Sequence, residues 1–537
     1  MITFRVVHAG QDEIEVMEEF SNDRHKRCFS AYLAVAGAIG GLLFGYDIGV
    51  ISGSLSLLSN EFDLSSVEQE MVVAIQAVGS MFGACFGGYV CDYIGRIRTV
   101  GLCVFMFMAG AIVLYFSNTL AMLCIGRIII GIGISVSSIA DVAFLAEVSP
   151  AEYRGAVIST YDLGVTLGIL LAYLVNSFLT SWRAMFLLPV PFAVLWYLLM
   201  YFLPESPRWL LLVEQHEEAL NSLTRIYGGI EEAHRSLEVA SSSIMQEKNA
   251  RTLIFLDFVY KWKLQLGLVL FLMISQQLSG NAVLLTYRPD VYSNSTDDDS
   301  SDDTDTFIII LGCVKVLGTS IALYFVDRIG RRLLLLVGIC AMCFSWPLII
   351  LAGFFNSPTL AVIGACLVVT SYSVSFGCLS WVIVSEIFPD EYRSRAIGFS
   401  LIINWLFNFA VMSSYISMSE GLTESGAFAF YLLMCILSLV AGYYFVPETK
   451  SRDHIEINAD LISKIGAFFP SALEGNPSSL YLGRDDSPSK YTASMLSDSK
   501  SSSHSNSNLS SILVLSGDSN GNSNGYSPVH NEMHLQA

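Results

Sequence analysis

GYVCDYIGRIR, residues 88–98, returns much later in the chain as YFVDRIGRR, residues 324–332. In both copies Asp is followed after two residues by Gly and Arg, and in both the motif closes an apolar run of bilayer length. Two further motifs recur in the same order. AEVSPAEYRG (146–155) is matched by SEIFPDEYRSR (385–395), with Glu and Arg seven apart each time, and LPESPR (203–208) by VPETK (446–450). The intervals agree as well: Asp92 to Glu147 is 55 residues and Asp327 to Glu386 is 59, while Glu147 to Glu205 is 58 and Glu386 to Glu448 is 62. Such a duplication describes two halves of one design, with room for a site between them near the membrane midplane.

Composition gives those halves their solvent. With 53% hydrophobic and 14% charged residues and a mean hydropathy of +0.55, the 537-residue chain is too apolar for a soluble protein. Runs of about 20 apolar residues, enough to span a bilayer, recur near 30–52, 71–91, 99–116, 121–142, 157–179, 184–203, 264–287, 307–326, 333–355, 360–384, 396–416 and 427–446. The chain therefore reads as an all-α membrane protein of twelve transmembrane helices in two pseudo-symmetric six-helix bundles. The first run follows the charges Asp23, Arg24, Lys26 and Arg27 and is too long for a signal-peptide core, so it is read as retained. With a cytoplasmic N-terminus, 25 of the 29 Lys and Arg residues fall inside. Only Arg183 and Arg288 fall outside, and Arg127 and Lys315 lie within spans. Both termini are then cytoplasmic.

The expected organisation is a cytoplasmic N-terminus (1–29), a six-helix bundle (30–203), a helical cytoplasmic linker (204–263), a second bundle (264–446) and a Ser/Asn/Gly-rich cytoplasmic tail (447–537), which opens on a short helix and then lacks the apolar content to fold. Much of the net charge of −19 comes from the termini and from STDDDSSDDTD (295–305), a solvated, self-repelling loop with nothing to fix a coordination geometry. Asn294-Ser295-Thr296 is a glycosylation sequon on the outer side. The eleven cysteines are scattered and all eight histidines lie outside the predicted spans, so packing cysteines are expected, and neither a metal site nor a histidine proton relay. Asp92, Arg96, Glu147 and Arg154, with Asp327, Arg331, Arg332, Glu386 and Arg393, all fall at inner helix ends. They are read as a latch between the halves, although charges at an interface also snorkel and set topology.

Taken together, GYVCDYIGR, GRIIIGIGI, AEVSPAEYRG, PESPRWL, QQLSG, DRIGRR, WVIVSEIFP and VPETK resemble the sugar porters of the major facilitator superfamily over roughly residues 30 to 450. VEQEMVV, GISVSSIA and Lys315 are most similar to the class III facilitative glucose transporters, the branch of members ten and twelve. The resemblance implies the twelve-helix major facilitator fold, movement of a monosaccharide by alternating access, and a sugar held by Gln276, Gln277, Trp381, Asn404, Trp405 and Asn408. Amides suit a hexose, whose hydroxyls each need a donor or acceptor in a dry cavity. Glutamines bonded to a neighbouring helix are the structural alternative, and Trp405 is equally readable as packing. Asn404 and Asn408 are one turn apart on one face. The chain departs from the family at several positions: Ala282 stands where the family has Asn, with Asn281 one place earlier, a rotation of about 100° on a continuous helix. Lys315 replaces Asn, Cys378 replaces a Pro, and Asp162 replaces a Gln.

Asp47, in GLLFGYDIGVISG (41–53), is a carboxylate in an otherwise apolar run. An isolated charge there costs at least about 2.5–3.5 kcal/mol, so it is expected to pair with Arg127 at similar depth. Gly126, Gly131 and Gly133 would let the two helices approach. The pair has two readings, a structural neutralisation of Arg127 and a proton site whose charge follows hydration of the cavity; in the family, Asp here is similar to the proton-coupled porters. Asp141 is placed near the inner interface. Channel and enzyme readings lack a pore pattern and a nucleophile–base set, while a non-transporting sugar sensor, or a carrier of a polyol or dehydroascorbate, would look alike. No cofactor and no nucleic acid is called for. The expected partners are a monosaccharide, protons and the bilayer, with the protein acting as a monomer in the plasma membrane or an internal one.

Overall fold

Twelve helices are long and apolar enough to cross a membrane: α1 (Asp23–Phe62), α2 (Ser66–Ile94), α3 (Arg96–Tyr115), α4 (Leu120–Val148), α5 (Arg154–Phe178), α6 (Trp182–Tyr201), α7 (Lys263–Thr286), α8 (Thr306–Val326), α9 (Arg331–Phe355), α10 (Pro358–Ile387), α11 (Tyr392–Met412) and α12 (Glu424–Phe445). The computed structural model describes residues 2–250, 255–287 and 301–468, all within the first of two compact units, Met1–Gly475. The sequon Asn294, the Asp-rich loop up to residue 300, the tail beyond 468 and the side chain of Asp327 lie outside the described residues.

Helix boundaries follow from local chemistry. Ser65 opens α2 with a capping box, its backbone N–H and hydroxyl both donating to Glu68 at 2.9 and 2.8 Å. Pro358 opens α10, at the one turn where its missing N–H is not needed. The turn between α2 and α3 is Gly95, with φ +95°, and its counterpart between α8 and α9 is Gly330, with φ +110°. L-residues rarely adopt that region, so the Gly of the repeated motif is a backbone requirement.

The halves repeat the same packing. In the first, α1 packs on α5, α2 on α4, α3 on α4 and α3 on α6; in the second, α7 on α11, α8 on α10, α9 on α10 and α9 on α12. The halves meet through α2 with α11 and α5 with α8, which are the same contact seen from each side of a pseudo-two-fold axis. Between them the linker forms helices Pro207–Leu212, His216–Tyr227, Ile230–Ala250 and Phe255–Lys261. His216–Tyr227 is amphipathic, burying Ala219, Leu223 and Ile226 before stopping at left-handed Gly228. The short helix expected after Lys450 is His454–Phe468.

Three features differ from the sequence reading. The helix bearing α1 runs from Ile2 to Phe62, well past the predicted end at Ser52, because Leu55, Leu57 and Leu58 continue its packing against the core. That sets Asp47 near the middle of the apolar stretch and not in its outer third. Helix α7 is broken: Lys263–Leu278 and Asn281–Thr286 are separated at Gly280, φ +77°, where a Cβ would lie 2.6 Å from Tyr431 and 2.8 Å from Trp346. In α10, Ser373–Gly377 forms a π-helical turn, a local widening of the kind that recurs at functional sites.

Candidate functional site

At the motif end each half carries one charge cluster. Arg96 donates from Nε and Nη2 to the two oxygens of Glu147, both at 2.9 Å, and lies 3.2 Å from Asp92. Glu205 accepts the backbone N–H groups of Arg96, Ile97 and Ser206 at 2.9–3.2 Å. Burial pushes the Glu205 carboxyl above its ordinary value of 4.5, against the pull of those three donors. In the second half Arg331 reaches Glu386 at 2.9 and 3.1 Å. Glu448 accepts the N–H groups of Arg331, Arg332, Thr449 and Lys450 at 2.9–3.2 Å. Burial raises this carboxyl too, but four backbone donors outweigh it and hold it below 4.5. Arg332 also donates to the Tyr443 carbonyl at 2.7 Å and Arg393 to that of Ser385 at 2.7 Å, while Arg154 is exposed. In the state seen here these pairs join helices within a half. Repetition of the motif follows from a job done twice, fixing α3 to α4 and α9 to α10.

Contacts between the halves lie toward the far end. Glu70 of α2, itself buried, accepts the backbone N–H and the hydroxyl of Ser417 at 2.7 and 2.8 Å, and Ser66 donates to Glu420 at 2.5 Å. The Tyr173 hydroxyl donates to the Leu285 carbonyl at 2.7 Å, and Phe44 meets Trp405 edge-on at 6.2 Å. Sequence reasoning passed over Glu70, a buried carboxylate in VEQEMVV.

Inside the first half, Asp47 and Arg127 are 5% and 2% exposed and 3.3 Å apart, as expected. Gln76 of α2 was not anticipated; it donates to the other Asp47 oxygen, and an amide in an apolar run was its signal. Phe186 lies under the guanidinium, 5.8 Å away, and a cavity of about 20 Å³, room for roughly one water, touches Asp47. The glycines act otherwise than expected. Gly131 brings α4 against α2, where a Cβ would fall 2.2 Å from the Gln76 carbonyl; Gly126 and Gly133 face α3. Helix α1 is reached by the length of the arginine side chain. Asp162 on α5 is exposed. Asp141 is fully buried, 0% exposed, near the motif end of α4.

Inside the second half the amides pair across helices. Asn404 of α11 donates to Gln276 of α7 at 2.9 Å, and Asn408 to Gln277 at 3.0 Å. Gln276 donates to the carbonyl of Phe376 at 3.1 Å, an acceptor presented by the π-helical turn. The four amides thus form a two-rung ladder, with one turn of α11 between Asn404 and Asn408 and consecutive residues facing them on α7. Trp381 is half-buried against the core, and the Trp405 indole nitrogen is buried without a partner. Asn281, 3% exposed with its oxygen unpartnered, follows the break at Gly280, so rotation on a continuous helix does not govern where it points. Lys315 is buried with its ammonium 4.7 Å from the centre of the Tyr372 ring, and the Tyr372 hydroxyl contacts Gln276.

Twelve spans, doubled packing and paired central groups define a two-bundle membrane carrier fold. The family described as sugar (and other) transporter matches residues 33–461, and the chain belongs to that family. D-xylose-proton symporter-like 2 of Arabidopsis thaliana is 32% identical over 462 residues, covering 79% of this chain and 89% of that protein. The glucose transporter GlcP of Staphylococcus epidermidis is 32% identical over 445 residues, covering 81% and 97%. The galactose-proton symporter of Escherichia coli (strain K12) is 30% identical over 450 residues, covering 81% and 95%. Among solved structures, a partially occluded inward-open xylose transporter XylE from E. coli matches with a TM-score of 0.70 at 27% identity, covering 79% of this chain and 99% of that one. These relatives are transporters and not enzymes.

Proposed function

We propose that the protein moves a monosaccharide across the membrane by alternating access and couples that movement to protons. The observation that carries this reading is the amide ladder: four buried or half-buried carboxamides on two facing helices, α7 and α11, exchange hydrogen bonds that a sugar's hydroxyls would replace without leaving any group unpaired. Trp381 and Trp405 offer apolar ring faces, Asn281 and Lys315 further polar contacts, and Asp162 an acceptor from the other half. Proton coupling draws on Asp47, held between an amide and an arginine beside room for a water. The relatives include a D-xylose-proton symporter-like protein, a galactose-proton symporter and a glucose transporter, which supports a monosaccharide as the solute.

Both termini lie in the cytoplasm in this reading, from the distribution of Lys and Arg. The chain acts as a monomer in the plasma membrane, with a glycan on Asn294, and its motifs resemble those of the class III glucose transporters. The motif-end clusters hold each half rigid so that the two rock as bodies, and, with Asp327 of the repeated motif, latch the halves when the motif end is shut. Uptake of labelled hexose into proteoliposomes tests the function. Saturable uptake, raised when the side facing the far end is more acidic, is expected; binding without passage would make the protein a sensor.

A further inference from the structure

We infer that Asp141 is a second proton-binding site in the first half, serving the same proton movement as Asp47 and so resting on the coupling proposed above. Asp141 stands on α4, fourteen residues beyond Arg127 and toward the motif end. Both its carboxyl oxygens lack a hydrogen-bond partner among the described residues. Helix α1 comes against it with Gly40, where a Cβ would sit 2.3 Å from Asp141 Oδ2 and 3.0 Å from the indole nitrogen of Trp196 on α6. That indole N–H is unpartnered too, as is the hydroxyl of Tyr161 on α5, which lies within electrostatic reach of both Asp141 and Asp162. From α3 the facing titratable group is Cys103. A glycine, an indole, a phenol and a thiol therefore surround the carboxyl, and no described charged group acts on it.

This is the reverse of the Asp47 site. There an arginine offsets the cost of a lone buried charge; at Asp141 nothing does, and the pocket suits a neutral carboxyl that both donates and accepts. A purely structural role would be met by Asn or Ser. What marks the carboxyl as functional is its place in a series. Gly40 precedes Asp47 by two turns of α1, about 10 Å, and Tyr161 adjoins the solvent-exposed Asp162 in sequence. One bundle thus holds carboxyls at successive levels between its centre and the motif end. The proton is carried as an O–H on one Asp141 oxygen. When water reaches the site the O–H bond breaks, the proton passes to water and a carboxylate remains; reprotonation reverses the step.

The test uses the full chain in proteoliposomes. Sugar counterflow is measured across pH for wild type, Asp47→Asn, Asp141→Asn and the double variant, each profile scaled to its own maximum. The Asp47→Asn profile should keep a pH-dependent limb that the added Asp141→Asn change abolishes. Infrared difference spectra of the wild-type protein should carry a protonated-carboxyl band that Asp141→Glu shifts. If Asp141→Asn does not reconstitute, that band decides the matter. Profiles indifferent to the Asp141 substitution, or no band responding to Asp141→Glu, overturn the inference. Failure of the Asp47 reading looks different: wild-type uptake ignores an imposed pH gradient, whatever the Asp141 band and profile show.

Discussion

Arg96 grips Glu147 with two nitrogens on two oxygens, and Ser206 donates to the same carboxylate. Arg331, its counterpart, lays two nitrogens on one oxygen of Glu386; the other oxygen and the neighbouring Thr449 hydroxyl have no partner. The side chains of the first pair are 6% and 11% exposed, those of the second 14% and 27%. A duplicated sequence has thus produced one tight and one loose copy of the same joint. The interiors diverge further. The first half places carboxylates and an arginine at its centre, and the second places amides beside the buried Lys315. The proposed function assigns the proton to the first of these interiors and the sugar to the second.

The largest expected effect probes the joints. Arg96→Ala leaves Glu147 buried without its cation and should destabilise the protein by about 3–5 kcal/mol. Arg331→Ala, at a more hydrated site, should cost about 1–2 kcal/mol. Thermal midpoints of the two variants in detergent check the ranking, and equal losses would erase the asymmetry.

Next come the interiors. Gln276→Ala removes a rung of the ladder and orphans Asn404. It should weaken apparent sugar affinity by about 1–3 kcal/mol, roughly five- to 150-fold, with the pH profile of transport unmoved. Half-saturation of hexose uptake at several pH values measures both. A shifted profile would show that the second half takes part in proton handling.

The smallest effect is a difference of sign. Glu205 sits above its ordinary value of 4.5, so its contribution to stability is full below pH 4.5 and declines as pH rises through its folded value. Glu448 sits below 4.5, so its contribution is full above pH 4.5 and is lost as pH falls through its folded value. Unfolding midpoints of Glu205→Gln and Glu448→Gln, compared with wild type from neutral to acid pH, should therefore diverge in opposite directions.

Much of this arrangement was written in short-range pattern. The repeated Gly and Arg of the motifs specify a positive-φ turn and an ion pair locally, so spacing alone exposed the duplicated scaffold. Asn404 and Asn408 announced a common face because they are one turn apart. Their partners on α7 could only be named through the family resemblance, since pairing across helices depends on tertiary register. Gly280 was invisible as a break because QQLSG sits inside an apolar run, and the π-helical turn at Ser373–Gly377 leaves no mark in hydropathy. The burial of Asp141 left no mark in the sequence, because it comes from Gly40 and Trp196 closing over it from other helices.

The central claim, that the first half carries the proton and the second the sugar, meets its most direct test in accumulation driven by an imposed pH gradient. Purified wild-type protein in proteoliposomes should concentrate labelled hexose above the external level, and Asp47→Asn should bring the two sides only to equality. Wild-type protein that merely equilibrates, or an Asp47→Asn variant that still concentrates the sugar, contradicts the account.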